Sequence, residues 1–290
     1  LLLSSAASDV YKRQVIDCYY PNTKQDSDKY LLFLDATVKK TAHMVSAWQS
    51  VGFNHGVMNT DNMSILGETF DYGPYAFMET YNPNYICNHT DSQGRYSFSN
   101  QPSIAEWNCY ALASALIDLF SEAELRDILN KYNDYFYDSL IEKYRKKLGF
   151  KSALDSDYDL LLGLFEIMET EKLDYTNTFR DLSMIITSSN DLKLSGKFSS
   201  WLASYKARLG KDENNIEQSI SIMHENNPKY ILRNYLAQSA IEDAEEGKSE
   251  KIDQLVKVLS NPFDDLGKSM EIYCKPAPKE HQNQQLSCSS

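Results

Sequence analysis

The order of apolar and polar positions describes a helical chain interrupted by one polar island. Leu31, Leu34, Val38, Ala42, Val45 and Trp48 recur at intervals of three and four, which places their side chains on one face of an α-helix. Asp26 or Ser27 can cap its start, and Gly52 suits its stop. A second stripe runs through Ile104, Trp107, Ala111, Ala115 and Leu119, opened by a Ser103/Glu106 capping box. A third runs through Leu125, Ile128, Tyr132, Phe136, Leu140 and Tyr144, opened by Ser121 with Glu124 and closed by Gly149. Shorter helices are expected at residues 158–168, 179–186, 198–209, 216–223, 236–244 and 252–259, with breaks at Pro228 and Asn261-Pro262.

Between residues 53 and 100 the helical period disappears. Gly, Asn, Asp and Pro crowd this stretch, as in loops joined by short strands, and residues 63–66 predict one such strand. From Lys268 onward, Pro276, Pro278 and a Gln/Asn run predict a loose tail. The opening residues 1–14, LLLSSAASDVYKRQ, have no leading Met, and the basic pair Lys12-Arg13 follows the apolar run instead of preceding it. They read as a non-native leader and not as a secretory signal, with the expectation that the native protein continues upstream.

Composition narrows the function classes. Lys plus Arg is 29 and Asp plus Glu is 41, a formal charge of −12, which argues against nucleic acid as a partner because that affinity comes from cations on phosphates. No apolar run approaches the about 18 residues of a membrane span, so no membrane partner is expected. The cysteines, Cys18, Cys87, Cys109, Cys274 and Cys288, are odd in number and form no C-x-x-C pair. That excludes a disulfide scaffold and a zinc ribbon and suits a reducing compartment. Cys18 and Cys109 read as small buried hydrophobes.

The candidate chemistry lies in the island, in HGVMNTDNMSILGETFDYG at residues 55–73. Asp61 and Asn62 are adjacent, a short apolar run follows, and Asp71-Tyr72-Gly73 closes the segment. An Asn amide oxygen and an Asp carboxylate are hard ligands of the kind Mg²⁺ takes alongside phosphate oxygens and water. A second carboxylate, Asp61, remains beside them to accept a proton from a nucleophilic hydroxyl. His55 is expected to be structural. Protein kinases carry this order of parts, with a catalytic loop H-R-D-x-x-x-x-N and a metal loop D-F-G. Aligned on His55 and Asn62, the kinase base falls on Val57, which cannot take a proton, and Asp61 is the acidic candidate left in the loop.

Three stretches carry a closer resemblance: WQSVGFNHGVMNTDNMSILGETFDYGPYAFMETYNPNYICNHTDSQGRYSFSNQP at residues 48–102, NPKYILRNYLAQSAIEDA at residues 227–244, and the terminal Cys288-Ser289-Ser290. In these the chain resembles the selenoprotein O family, the kinase-like protein adenylyltransferases. The resemblance implies a mainly α fold: a protein-kinase-like C-lobe at residues 15–150 with a short β-hairpin at the metal loop, a helical extension at 151–267, and a flexible tail at 268–290. It implies transfer of AMP from ATP to protein Ser, Thr or Tyr hydroxyls, with ATP bound reversed relative to kinases. Asp61 would be the base, and Asn62 and Asp71 would hold Mg²⁺, with Mn²⁺ as a substitute and Asp71 also facing the nucleotide. Cys288 stands where some members carry selenocysteine. Cys87 falls at the activation-segment position of a kinase, so a Cys87–Cys288 disulfide could tie the tail over the site. No counterpart of the family's glycine-rich N-terminal lobe is recognisable, so this polypeptide alone is expected to bind ATP weakly and to be inactive. The family's compartment would be the cytoplasm in a bacterium and the mitochondrion in a eukaryote. Two other readings stay open: a phosphotransferase with a displaced base, and a non-catalytic nucleotide-sensing or interaction module. Arg233 and Asn234, in the second stretch, read first as a brace at a helix start and otherwise as an interior polar anchor between lobe and extension.

Overall fold

A computed structural model describes residues 2–187, 195–212 and 215–278, with side chains from Val10 onward. Among the described residues there are eleven α-helices and a single two-stranded antiparallel sheet. The chain divides into two compact units that each draw on separate stretches of sequence.

The first unit holds the residues up to Ser46, then Met58–Tyr72 and Gln101–Ser139. It contains α1 (Leu2–Tyr19), most of α2 (Lys29–Val51), α3 (Gln101–Ser114), α4 (Glu122–Leu129) and the first half of α5 (Tyr132–Lys147). The stripe expected on α2 is its buried face: Leu34, Val38, Ala42 and Val45 have no exposed surface. Ile16 and Tyr20, at the end of α1, pack on Phe33 with Ile65, Leu66 and Leu112 around them. Ser121 caps α4 with the expected reciprocal bonds to Glu124. The Ser103/Glu106 box does not form, because α3 begins at Gln101 and places Ser103 inside its first turn. The third stripe is two helices, broken after Asn130, and its apolar positions Leu125, Ile128, Tyr132 and Phe136 are buried on both sides of the break. Cys109 is buried as expected, but Cys18 is exposed, since its position on α1 faces away from the Ile16 contact.

The second unit holds Ala47–Val57, Gly73–Asn100 and the chain from Leu140 onward. Its helices are the remainder of α5, then α6 (Ser156–Glu171), α7 (Tyr175–Ile185), α8 (Gly196–Leu209), α9 (Ile216–Asn226), α10 (Asn234–Glu245) and α11 (Glu250–Leu259). Their core is aromatic, with Phe150, Tyr175, Phe179 and Tyr205 wholly enclosed. Gly52 ends α2 at φ +72°, where a Cβ would come within 2.8 Å of the Tyr175 ring. β1 (Phe53–Asn54) pairs with β2 (Ala76–Phe77) in the register Phe53 to Phe77 and Asn54 to Ala76.

Two further expectations need correction. The sheet lies at residues 53–54 and 76–77, and residues 63–66 are not a strand. Their backbone has other partners: the Tyr20 hydroxyl donates to the Ile65 carbonyl at 2.8 Å, and Leu66 N–H donates to Ser64 Oγ at 3.0 Å. The tail is also not loose along its whole length. A 3-10 helix covers Lys268–Cys274, the Asn177 amide donates to the Cys274 carbonyl at 3.1 Å, and Ala277 is buried with its N–H on Glu79 Oε2. Residues 279–290, Cys288 among them, lie outside the described residues. Among the described residues no helix is long and apolar enough to cross a membrane.

Lys147 is a charged group at an unusual place in this unit. It is 3% exposed, its ammonium lies 4.5 Å from the Phe179 ring centroid, and burial pulls its pKa down from the ordinary 10.5 to about 7. The attraction of the ring face does not replace the lost hydration. The unfolded chain therefore holds a proton that the native state gives up between about pH 7 and 10.5, and stability rises with pH in that window. Lys147→Met is expected to raise stability at pH 7 and to remove a rise of up to about 1.4 kcal/mol per pH unit. Urea titrations of both proteins from pH 7 to 10 check this; parallel curves would show that Lys147 does not titrate there.

Candidate active site

The polar island enters the first unit at Met58, whose side chain is 1% exposed and whose carbonyl accepts a 3.0 Å hydrogen bond from the Asn108 amide of α3. Asn59 is extended, and Thr60–Asn62 then form one turn of 3-10 helix closed by Asn62 N–H on the Asn59 carbonyl at 3.0 Å. That turn puts Asp61 and Asn62 side by side, Asp61 exposed and Asn62 half-buried. The chain next passes Ile65, pinned by Tyr20, and reaches Gly67 at φ +69°. A Cβ on Gly67 would lie 2.8 Å from Lys40 Cβ and 2.9 Å from the Lys40 carbonyl oxygen, so only glycine lets the loop lie this close to α2.

Beyond this contact the loop presents Phe70, Asp71 and Tyr72, all exposed. Asp71 has φ +56°. Among the described residues one other non-glycine residue, Lys172, has positive φ, and it is the left-handed C-cap of α6. Asp71 caps no helix. A left-handed conformation outside glycine carries a cost that Asp tolerates better than most residues, and such strain tends to be kept at functional sites.

The fold thus brings Asp61, Asn62 and Asp71 into one unit, on one loop fastened at Met58, Ile65 and Gly67. His55, Val57 and Cys87 belong to the second unit. His55 is 1% exposed, with its ring 5.3 Å from that of Trp48 and its Nδ1 accepting Val57 N–H at 3.4 Å, so it is a packed side chain of the strand end. Cys87 has no exposed surface; its N–H donates to Asn54 Oδ1 and its thiol to the Asn54 carbonyl.

The donor set suits a hard divalent cation. An amide oxygen and a carboxylate on a solvent-facing loop leave room for phosphate oxygens and water, which Mg²⁺ retains as ligands. Among the described residues no three His, Cys, Asp or Glu side chains gather as a protein-only metal cage, so an ion here would be shared with a ligand. Asn108 supports this loop without any motif to name it; its one signal in the sequence is a polar side chain beside Ile104, Ala105 and Cys109, all buried, which something must satisfy.

The family model for the protein adenylyltransferase SelO matches residues 7–260. The chain belongs to the SelO family. The match takes in residues 7–14, and α1 runs through them without a break. Among the relatives, a protein nucleotidyltransferase YdiU of Erwinia tasmaniensis is 43% identical over 286 residues, 95% of this chain and 59% of the relative. The protein nucleotidyltransferase YdiU of Pseudomonas fluorescens SBW25 is 41% identical over 284 residues, with 95% and 58% covered. That of Cupriavidus metallidurans is 38% identical over 298 residues, with 95% and 55% covered. The chain therefore spans less than three fifths of the length of these SelO-family relatives.

Proposed function

We propose that this chain supplies the base- and metal-bearing part of a protein adenylyltransferase, which moves AMP from ATP onto Ser, Thr or Tyr hydroxyls of proteins. The observation that carries this reading is the loop at residues 58–72 in a SelO-family chain: one proton acceptor and two hard oxygen donors on a single anchored, solvent-facing loop. Asp61 takes the proton of the acceptor hydroxyl, whose oxygen bonds to the α-phosphorus as pyrophosphate leaves. An exposed base suits an acceptor carried on another protein, which must approach from solvent. Asn62 and Asp71 hold Mg²⁺, or Mn²⁺ in its place, and a bound ion would neutralise triphosphate charge. The anchors at Met58, Ile65 and Gly67 hold the loop on either side of Asp61 and Asn62, so positioning, more than covalent chemistry, is the protein's contribution.

In this reading residues 15–150 form a kinase-like C-lobe and residues 151–267 its helical extension. This stretch alone binds ATP weakly and does not transfer AMP. A Cys87–Cys288 disulfide would require Cys87 to leave its buried contact with Asn54. Mass mapping of oxidised protein tests the pairing, and two free thiols would remove it.

The reaction class is tested with a protein of the relatives' full length that bears this sequence. Incubation with α-labelled ATP is expected to label protein, and γ-labelled ATP is expected to label none. The reverse pattern would make it a phosphotransferase, and no label from either would favour the non-catalytic module.

A further inference from the structure

The second unit contains a cavity of about 390 Å³ between α7, α9 and the chain on both sides of the 3-10 helix at Lys268–Cys274. We propose that this cavity binds a zwitterionic α-amino acid, with its carboxylate on the free edge of the Arg180 guanidinium and its ammonium on the Asp181 carboxylate.

The wall holds two opposite charges that lack counter-ions. Asn177, Arg180, Asp181 and Met184 line it from one face of α7, at the helical spacing of three and four. One nitrogen fixes the Arg180 guanidinium to the backbone: Nη1 donates to the carbonyls of Asn227 at 2.9 Å, Phe263 at 3.1 Å and His224 at 3.2 Å. Nε and Nη2 donate to nothing among the described residues, and together they form the edge that grips a carboxylate with two parallel bonds. Asp181 is half-buried, and among the described residues its carboxylate accepts no hydrogen bond and joins no salt bridge. These unpartnered atoms are open to solvent and not sealed inside the fold. Burial, with Asp174 nearby, pushes the Asp181 carboxyl above its ordinary range, and burial pulls Arg180 below its own. Each side chain has lost hydration that no partner replaces. The two attract each other through space without touching.

The other polar side chains of the wall are committed. Lys229 pairs with Asp265 at 2.7 Å. Ser183 donates to the Arg180 carbonyl at 2.9 Å and meets His224 Nε2 at 2.9 Å, and burial beside Arg180 keeps His224 neutral at pH 7. The Asn177 amide donates to the Cys274 carbonyl, and the Cys274 thiol to the Glu271 carbonyl. Lys275 is exposed, where water serves its charge. A simple anion would leave Asp181 unpaired, and a simple cation would leave Arg180 unpaired. A molecule with both charges on one carbon answers both. Met184 and Pro276 add apolar surface for its side chain. The volume lies near the lower end of the range of about 300–1,000 Å³ for small-molecule sites. Binding needs no transfer chemistry and does not depend on the function proposed above.

The test uses this chain and three probes: leucine, 4-methylpentanoate, which is leucine without the ammonium, and 3-methylbutylamine, which is leucine without the carboxylate. Two-dimensional NMR titration with leucine is expected to show saturable shifts at residues 177–184, 224 and 274–276. Each single-charge probe is expected to bind at least about tenfold more weakly, the worth of one charged hydrogen-bonded contact. Asp181→Asn is expected to weaken leucine at least about tenfold while binding 4-methylpentanoate as well as the original or better, because only the ammonium loses its partner. Absence of saturable leucine binding, or saturable shifts confined to other residues, would overturn the proposal. So would a single-charge probe that binds as tightly as leucine, or a folded Asp181→Asn protein with unchanged leucine affinity. Should the variant fail to fold, the three probes on the unaltered chain still decide the question.

Discussion

Replacing Asp71 with alanine in a protein of the relatives' full length is expected to lower AMP transfer at least about a hundredfold, as removal of a group that holds charge at a reacting phosphate does. The expectation rests on two properties of the residue. Its carboxylate is exposed on the same loop as Asn62, and in the function proposed above the two share one hard cation. Its backbone sits at φ +56°, a conformation with no capping role to explain it. The two properties can be separated. Asp71→Gly removes the carboxylate and relieves the backbone, so it is expected to abolish transfer while leaving stability unchanged or raising it by up to about 1 kcal/mol. Asp71→Asn keeps a residue that tolerates the left-handed region but removes the charge, and its transfer is expected to fall as well. Chemical denaturation and α-label transfer measured on the same preparations check both halves. Loss of stability in the glycine variant would show that Asp71 is a structural residue.

Arg233→Ala is expected to destabilise the second unit by about 3–5 kcal/mol, the cost of breaking a buried ion pair from one side. Arg233 has no exposed surface. Its guanidinium pairs with Glu79, donates to Asp174 Oδ2 at 2.7 Å and Oδ1 at 3.3 Å, and reaches the Cys274 carbonyl at 3.4 Å. These partners tie the stretch after β2, the cap of α7 and the end of the 3-10 helix at Lys268–Cys274 into one network. Removing the arginine leaves two carboxylates facing each other. Burial already pushes Glu79 above the ordinary carboxylate range, with Arg233 opposing the rise. Arg233→Lys is expected to recover little, because one ammonium cannot replace a planar fork with several partners. Thermal and urea unfolding of the three proteins measures this, and a lysine variant as stable as the original would show that charge alone suffices. Of the two readings of Arg233, this network fits the interior polar anchor and not the preferred helix-start brace: Arg233 does precede α10, but its side chain makes no cap bond to that helix.

How far the fold was legible depended on where the information lay. The α2 face was readable because one helix buries one stripe, and Ser121 with Glu124 was readable because a capping box is local. The Ser103/Glu106 pair looked the same in sequence. Pro102 sits comfortably in a first helical turn, and the helix began ahead of it at Gln101. Residues 63–66 misled for another reason. A short apolar run carries no information about its partner, and here the partners were a tyrosine hydroxyl and a serine side chain.

The proposed site is named from chemistry alone, and its support is not. Asp61, Asn62 and Asp71 could be named from residue types and order, but Asn108 on Met58 and Gly67 against Lys40 are contacts between distant stretches that no local pattern encodes. The split of the loop from His55 and Cys87 into different units was equally hidden, because each unit is assembled from stretches that are not contiguous.

The most direct measurement of the central claim is paramagnetic broadening of backbone amide signals in this chain by Mn²⁺-ATP. It needs only weak binding and reports distance to the ion. If Asn62 and Asp71 hold one metal–triphosphate together, the amides of residues 61, 62 and 71 broaden in parallel at low Mn²⁺-ATP, and Asp71→Ala removes the effect at all three. Broadening at residue 71 with none at 61 and 62, or the same broadening in Asp71→Ala, would contradict it.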